Sequence, residues 1–467
     1  MITADRIDER VARPVAVALL MVSFTMPFFF SLGGLKLTGY RVVLIIFLLP
    51  AMIRWLNGSA GKIRGVDWLI VGFAFWSALT LTVNHGLVSK WQFIGMLTIE
   101  ILAPYFIARA YIRDLESFRY FVRWFLILIV ILLPFSLYEM ATEQSPLLDF
   151  FGGFANVYQK WIYEPRLGLF RAQATMPHPI LFGVFMTPSF ALFWYVLGWN
   201  KTLFRKVSLS SLAGIVVFTS LSSGAFLNVI IQMALMAWNK MFSFLKNKWK
   251  VLLICFAIFY IVVEAGSNRN VFQIIATHMT LTPGTAWWRI LTFEFARDDI
   301  MRNPVFGIGM HDWTRPHWMT LSSVDNFWLL MTLRHGFPGL FLLLGTVLTM
   351  FIQIGRRSLT GAVADARLGY LFALCAFCVS AVTVHLWDAT FCFFMFLFGA
   401  GVWLLDAEGD QGTNSETQQK QTKRTIRYTR FPPEMSGVEA PTAPRVSAGH
   451  NPLPPHHAQR TAQPAHR

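Results

Sequence analysis

Runs of apolar residues roughly 17 to 25 long recur along most of this chain, and a helix of that length matches the thickness of a bilayer's hydrocarbon core. Hydropathy and flanking residues together predict about twelve spans, at roughly 15–34, 39–54, 66–83, 92–110, 119–138, 179–198, 207–221, 224–239, 251–266, 326–352, 367–385 and 388–405. The runs lack the strict alternation of barrel strands, and a segment away from water must satisfy its own main-chain groups, so each is expected to be helical. The expected fold class is all-α, a polytopic transmembrane bundle over 1–405.

Composition agrees with that pattern. Of 467 residues, 55% are hydrophobic and only 14% charged, against about a quarter charged in soluble domains, which excludes an ordinary soluble enzyme. Lys and Arg near span ends stay on the cytoplasmic side and so set the orientation. Arg54, Lys62 and Arg64 follow the second span, and Arg109, Arg113 and Arg119 surround the link after the fourth. Lys201, Lys206, Lys240, Lys250, Arg356, Arg357 and Arg367 fall on the same side when every span is counted, which places both termini in the cytoplasm. The formal net charge of +15 lies largely in these links and in the tail, where anionic lipid headgroups are a better partner than nucleic acid. The opening segment MITADRIDERVARP is followed by no small-residue cleavage site, so the first run is expected to be a retained span. Cys255, Cys375, Cys378 and Cys392 all fall inside spans and read as packing residues, neither disulfides nor metal ligands. Residues 406–467, rich in Gln, Thr, Pro, Ser, Ala and His, cannot bury a core and are expected to form a disordered cytoplasmic tail.

Two outer connections, about 139–178 and 267–325, are longer than passive links require, so function is expected there. The first carries YQKWIYEPRLGLFRAQATMPHPILFGVF, and the second TAWWRILTFEFARDDI followed by NPVFGIGMHDWTRPHW. Trp288, Leu291 and Phe295 recur at helical spacing, which predicts a helix lying flat at the membrane interface with its polar face in an aqueous groove.

Arg289, the turn NPVFGIG (Asn303 to Gly309) and the segment DNFWLLMTLRHGFPG (Asp325 to Gly339) resemble the signature of the O-antigen ligase and O-antigen polymerase superfamily of bacterial envelope glycan assembly. FRAQATMPHPILFGVF resembles the Arg and His-Pro stretch of its exopolysaccharide-type members, and LSSGAF (Leu221 to Phe226) their serine turn. The likeness covers roughly 160–350. Asp325 stands where ligases of the family usually have His, and Ser223 where many members have Arg, so a polymerase fits better than a typical ligase. The resemblance implies a bundle of the GT-C type in the inner membrane, and a glycosyltransferase that needs neither metal nor cofactor. It would join polyprenyl-diphosphate-linked oligosaccharides to a glycan acceptor, alongside other polysaccharide export proteins.

Such a reaction needs fixed positive charge on a departing diphosphate, and a guanidinium forks onto phosphate oxygens without a metal. Arg171 and Arg289 are the candidates for that grip. A base must take the proton of the attacking hydroxyl. Asp325 suits that task or an N-cap of the tenth span, and His178, before Pro179, suits it or an interfacial hydrogen bond. Arg166, His311, Asp312, Arg315, His317 and Asn326 are further candidates for substrate contact. Gly307 and Gly309 mark a tight turn, open to phosphate binding by its amides or to a purely structural role. Glu100, inside the fourth span, is expected to be functional or paired with a neighbouring span. A ligase that moves finished glycan is the nearest alternative. A lipid-oligosaccharide transporter ranks lower, because no internal repeat is visible and few charges fall near span midplanes.

Overall fold

The computed structural model describes residues 14–266 and 283–408. The expected tail beyond 408 and part of the second outer connection, 267–282, lie outside the described residues. Nine helices among the described residues are long and apolar enough to cross a membrane. Five are α2 (Gly39–Leu56), α3 (Gly65–His85), α4 (Leu87–Tyr111), α5 (Leu115–Thr142) and α11 (Lys248–Gly266). The others are α13 (Phe327–Arg356), α14 (Gly361–Thr383), α15 (Asp388–Gly401) with its 3-10 extension to Leu405, and the composite segment Pro179–Leu197. A helical, multi-pass membrane protein follows from their number and length.

Three of the twelve expected spans do not reach that standard. The first run yields only a ten-residue helix, α1 (Val15–Phe24), before the chain turns into strands β1 (Phe28–Leu32) and β2 (Leu35–Thr38). Gly33 and Gly34 carry positive φ of 54° and 86° between them, a turn that matches strand twist and pairs Leu32 with Leu35. Hydropathy alone cannot separate a Phe-rich hairpin from a helix. With β3 (Asn156–Val157) on its other edge, β1 centres a small sheet of order β2-β1-β3, so the bundle is not purely helical. The seventh and eighth runs form α9 (Leu203–Thr219) and α10 (Ser223–Met241); α9 has 17 residues, and α10 buries the polar pair Asn228 and Gln232.

Gln232 repairs a broken helix. The segment Pro179–Leu197 divides into α7 (Pro179–Met186), α8 (Ser189–Leu192) and a π turn (Phe193–Leu197), interrupted at Pro188, which has no N–H to give. The fully buried amide of Gln232 accepts from the Ala191 N–H at 3.0 Å and donates to the Thr187 carbonyl at 2.9 Å, standing in for a missing helical bond.

A second break, in α13, holds the second long loop. Gly336 has φ 68° and ψ −177°, and Pro338 removes the next donor, which frees the carbonyls of Leu333 and Arg334. The NPVFGIG turn supplies the missing partners: the Ile308 N–H donates to Leu333 at 2.8 Å and that of Gly309 to Arg334 at 3.1 Å. The Phe337 N–H donates in return to Pro304 at 2.8 Å. A Cβ on Gly336 would lie 2.1 Å from the Val305 carbonyl, so only glycine fits at this contact. The two amides are thereby committed to structure and not to phosphate.

The basic links gather at the bundle's opposite end. Buried Arg109 pairs with buried Asp67 at 3.2 Å and donates to the carbonyls of Ala60 and Lys62. Arg64 pairs with Asp406, and Arg357 donates to the Ala407 carbonyl. The links after the second, fourth and tenth expected spans therefore share one side, as their charges required.

Candidate functional site

The first long loop, which opens on the short helix α6 (Pro146–Gly152), is pinned to the end of α5 by one carboxylate. Buried Glu139 accepts from the N–H groups of Gln173 at 3.1 Å and Ala174 at 2.9 Å, and from the Ser145 hydroxyl at 2.9 Å. Arg166 opens the tight turn RLGL, in which Leu167 and Gly168 both have positive φ and Arg166 bridges Leu169. Both arginines of this loop reach the serine turn between α9 and α10. Arg166 donates to the Leu221 carbonyl at 2.9 Å, and Arg171, through Nε, to the Ser220 carbonyl at 3.3 Å.

Arg171 is 8% exposed and lies over the Tyr163 ring at 4.8 Å, yet one of its terminal nitrogens has no hydrogen-bond partner among the described residues. Burial, with the charge of Arg166, lowers its pKa to about 10, so it stays protonated at neutral pH. Arg289 approaches from the second loop on helix α12 (Pro283–Arg302). Its Nε is also buried without a partner among the described residues, and its guanidinium lies within electrostatic reach of Asp325 and Arg166. Two long loops thus bring three guanidiniums and one carboxylate together, with Tyr163 between them.

Asp325 does not cap α13. Asn326 does, accepting from the Leu329 N–H at 3.0 Å through Oδ1. The Asp325 side chain remains open to solvent, while the surrounding protein pushes its carboxyl above the ordinary range and Arg289 pulls it partly back.

His178 is an N-cap. Its Nδ1 accepts from the Ile180 N–H at 3.0 Å, which leaves the ring proton on Nε2, 2.5 Å from the Tyr163 hydroxyl. Burial and the charge of Arg171 hold its pKa at about 4. Ringed by Trp161, Tyr163 and Trp387, it orients Tyr163 and has no lone pair free for a substrate.

The remaining candidates lie in a different group. The His311 ring packs on His85 at 4.3 Å, and its Nε2 lies 3.3 Å from the Asn84 carbonyl, at the end of α3. Exposed Asp312 pairs at 2.6 Å with Arg315, which is held against the Trp313 ring and donates to the Met319 carbonyl. His317 is exposed. Trp288, Leu291 and Phe295 form the expected helix face, but that face packs inward on the core, with Trp288 and Phe295 against Trp318. Between α11, α12 and α13 runs a groove of about 1140 Å³, with an apolar wall of Ile290, Phe293, Leu329 and Leu340 and a charged rim of Glu264, Glu294, Arg297 and Asp298.

Several residues were not legible from the apolar runs. Glu100 takes its paired reading: its carboxylate accepts from Arg41 at 2.8 Å and from the Tyr40 hydroxyl at 3.0 Å, both on α2. Arg41 also lies 3.5 Å from Asp388. With Arg334, His335 and His385 these groups line a cavity of about 240 Å³, so the bundle holds more ionisable groups than expected. The usable signal was any charge inside an apolar run. Among the described residues no cluster of three or more His, Cys, Asp or Glu is placed to hold a metal, and all four cysteines are free, Cys255 facing outward.

No known family model matches this chain, and no curated protein is significantly similar to it. The fold and the site define a helical, multi-pass membrane protein with an arginine-rich cluster built by two loops.

Proposed function

We propose that this protein is a membrane-embedded glycan polymerase of the O-antigen ligase and polymerase superfamily, extending a surface polysaccharide from polyprenyl-diphosphate-linked repeat units at the outer face of a bacterial inner membrane. The observation that carries this reading is the pair of guanidiniums of buried Arg171 and half-buried Arg289, each with a buried donor lacking a partner among the described residues, on separate loops. Unsatisfied buried donors and uncompensated positive charge suit a ligand that is itself strongly anionic. Arg166 and Arg171 reach the serine turn from outside and supply there the guanidinium that many family members carry on the turn itself.

In the reaction, an acceptor hydroxyl attacks the anomeric carbon of the donor, its proton passes to the Asp325 carboxylate, and the bond to the lipid diphosphate breaks. The diphosphate keeps the electron pair of that bond, and the arginines stabilise the charge it gains. Asp325 is the better base, because its carboxylate is unencumbered while both nitrogens of His178 are engaged. The apolar wall of the groove between α11, α12 and α13 suits the polyprenyl chain.

Replacing Arg171, Arg289 or Asp325 singly by Ala, at equal protein level, is expected to shorten the glycan and lower the polymerisation rate by roughly 100-fold or more. Normal chain length in all three variants would end this reading. Ligation of finished glycan separates from polymerisation by one observation: cells lacking a ligase retain long lipid-linked polymer, and cells lacking a polymerase retain single repeats. Transport is favoured by the two broken helices and the charged cavity. Lipid-linked repeats trapped on the cytoplasmic face in deletion cells would select it.

A further inference from the structure

We propose that the cavity of about 240 Å³ beside the arginine cluster is a second binding site, which takes an oxyanion of the glycan, a sugar carboxylate or a phosphate, on Arg334. The proposal deepens the polymerase reading and rests on it, since it makes the acceptor glycan an acidic one.

Charge pairing inside the cavity leads to Arg334. Arg41 lies against Glu100 at 2.8 Å and Asp388 at 3.5 Å, and Lys36 is within electrostatic reach of Asp388, so two cations meet two carboxylates there. His335 is engaged through Nδ1 with the Thr80 hydroxyl at 2.7 Å. Arg334 has neither an ion pair nor a hydrogen bond from its side chain among the described residues, although it is half-buried in a helix of the bundle. A cation so placed is destabilising unless an anion joins it. Its main chain is fixed by the Gly309 N–H on its carbonyl, so the guanidinium springs from a rigid point. His385, within electrostatic reach of Arg334, adds a polar group free of hydrogen bonds among the described residues.

The rest of the lining suits a sugar. Phe73, Phe93, Trp387 and Phe391 offer aromatic faces, and the volume, below the roughly 300 Å³ at which drug-sized pockets begin, suits a single small unit such as one sugar ring. The Trp387 ring lies 6.0 Å from that of His178, so one indole separates this cavity from the arginine cluster.

The test is saturation-transfer NMR on the full-length protein in lipid nanodiscs, with methyl glucuronide, methyl glucoside and inorganic phosphate as probes. All are repeated in an Arg171→Ala, Arg289→Ala background, so that binding at the cluster is subtracted. Methyl glucuronide, phosphate or both are expected to bind, with at least a five-fold loss of affinity in Arg334→Gln, partial retention in Arg334→Lys, and no response from methyl glucoside. Glucuronide alone would identify an acidic sugar, and phosphate alone a phosphorylated unit. Arg334→Gln is expected to melt at or above the wild type, because it removes an unmatched cation. Equal binding to wild type and Arg334→Gln, absence of binding by both charged probes, or a lower melting temperature for Arg334→Gln would overturn the proposal. If Arg334→Gln binds like wild type while the Arg171 and Arg289 variants lose polymer, only the second site fails. If it loses binding while those variants make normal polymer, only the polymerase reading fails.

Discussion

Asp325 and His178 show how little of a residue's role is set by its type. Both are titratable groups at the start of a helix, yet Asn326 takes the cap beside the first, and the second is itself the cap. Asp325 therefore keeps its lone pairs, at the expense of sitting where its charged form is disfavoured. For a carboxyl whose folded pKa is raised above 3.8, the folded state binds more protons than the unfolded one between those two values, so ionisation destabilises the fold. Asp325→Asn is accordingly expected to abolish polymer while raising the melting temperature at pH 7. The wild-type rate should fall as pH drops through the raised pKa of Asp325. His178 has the opposite linkage. Its folded pKa of about 4 lies below the ordinary 6.5, so its contribution is complete above pH 6.5 and is lost as pH falls toward 4. A thermal-melt series in wild type and His178→Gln checks this: the two should diverge above pH 6.5 and converge near pH 4.

At the scale of elements, the informative places are the two interruptions. Each is a helix break whose freed main-chain groups are satisfied from elsewhere, which is the condition for tolerating a break in a membrane bundle. Gln232→Leu would strand the Thr187 carbonyl and the Ala191 N–H in an apolar setting, and is expected to lower stability by about 1–3 kcal/mol, read as the unfolding midpoint in detergent. Gly336→Ala is harsher, because it meets both a positive φ and the Val305 carbonyl, and folded yield is expected to fall sharply. Unchanged yield would show that the turn and the helix do not depend on each other. Neither break is visible as such in hydropathy, which registers the apolar residues on either side and passes over the proline between them.

For the whole molecule, the decisive matter is which end faces out. The arginine cluster and the Arg109–Asp67 end lie at opposite ends of the helices, so a single accessibility measurement orients both. With native cysteines replaced, Cys introduced at the exposed position Met301 is expected to react with a membrane-impermeant maleimide added to intact spheroplasts. Labelling only after lysis would put the cluster on the side away from an outer-leaflet donor. The spans that sequence located well, such as α5 and α15, are those in which apolar length and helix coincide. The first span failed because β1 (FFFSL) is as apolar as the helix before it, and α10 because a buried Gln and Asn do structural work that hydropathy scores against it. Arg171, Arg289 and Asp325 could be picked out through the resemblance. Arg334 could not, because recognising it depends on knowing that Lys36 and Arg41 are balanced by Glu100 and Asp388, and those carboxylates lie far from the two cations along the chain. The seam between NPVFGIG and α13 is made of main-chain bonds, with Val305 pointing outward at 47% exposure. A wall held by its amides can have its outward side chains rewritten without moving, so substitutions at Val305 are expected to leave the break in α13 and its contacts in register.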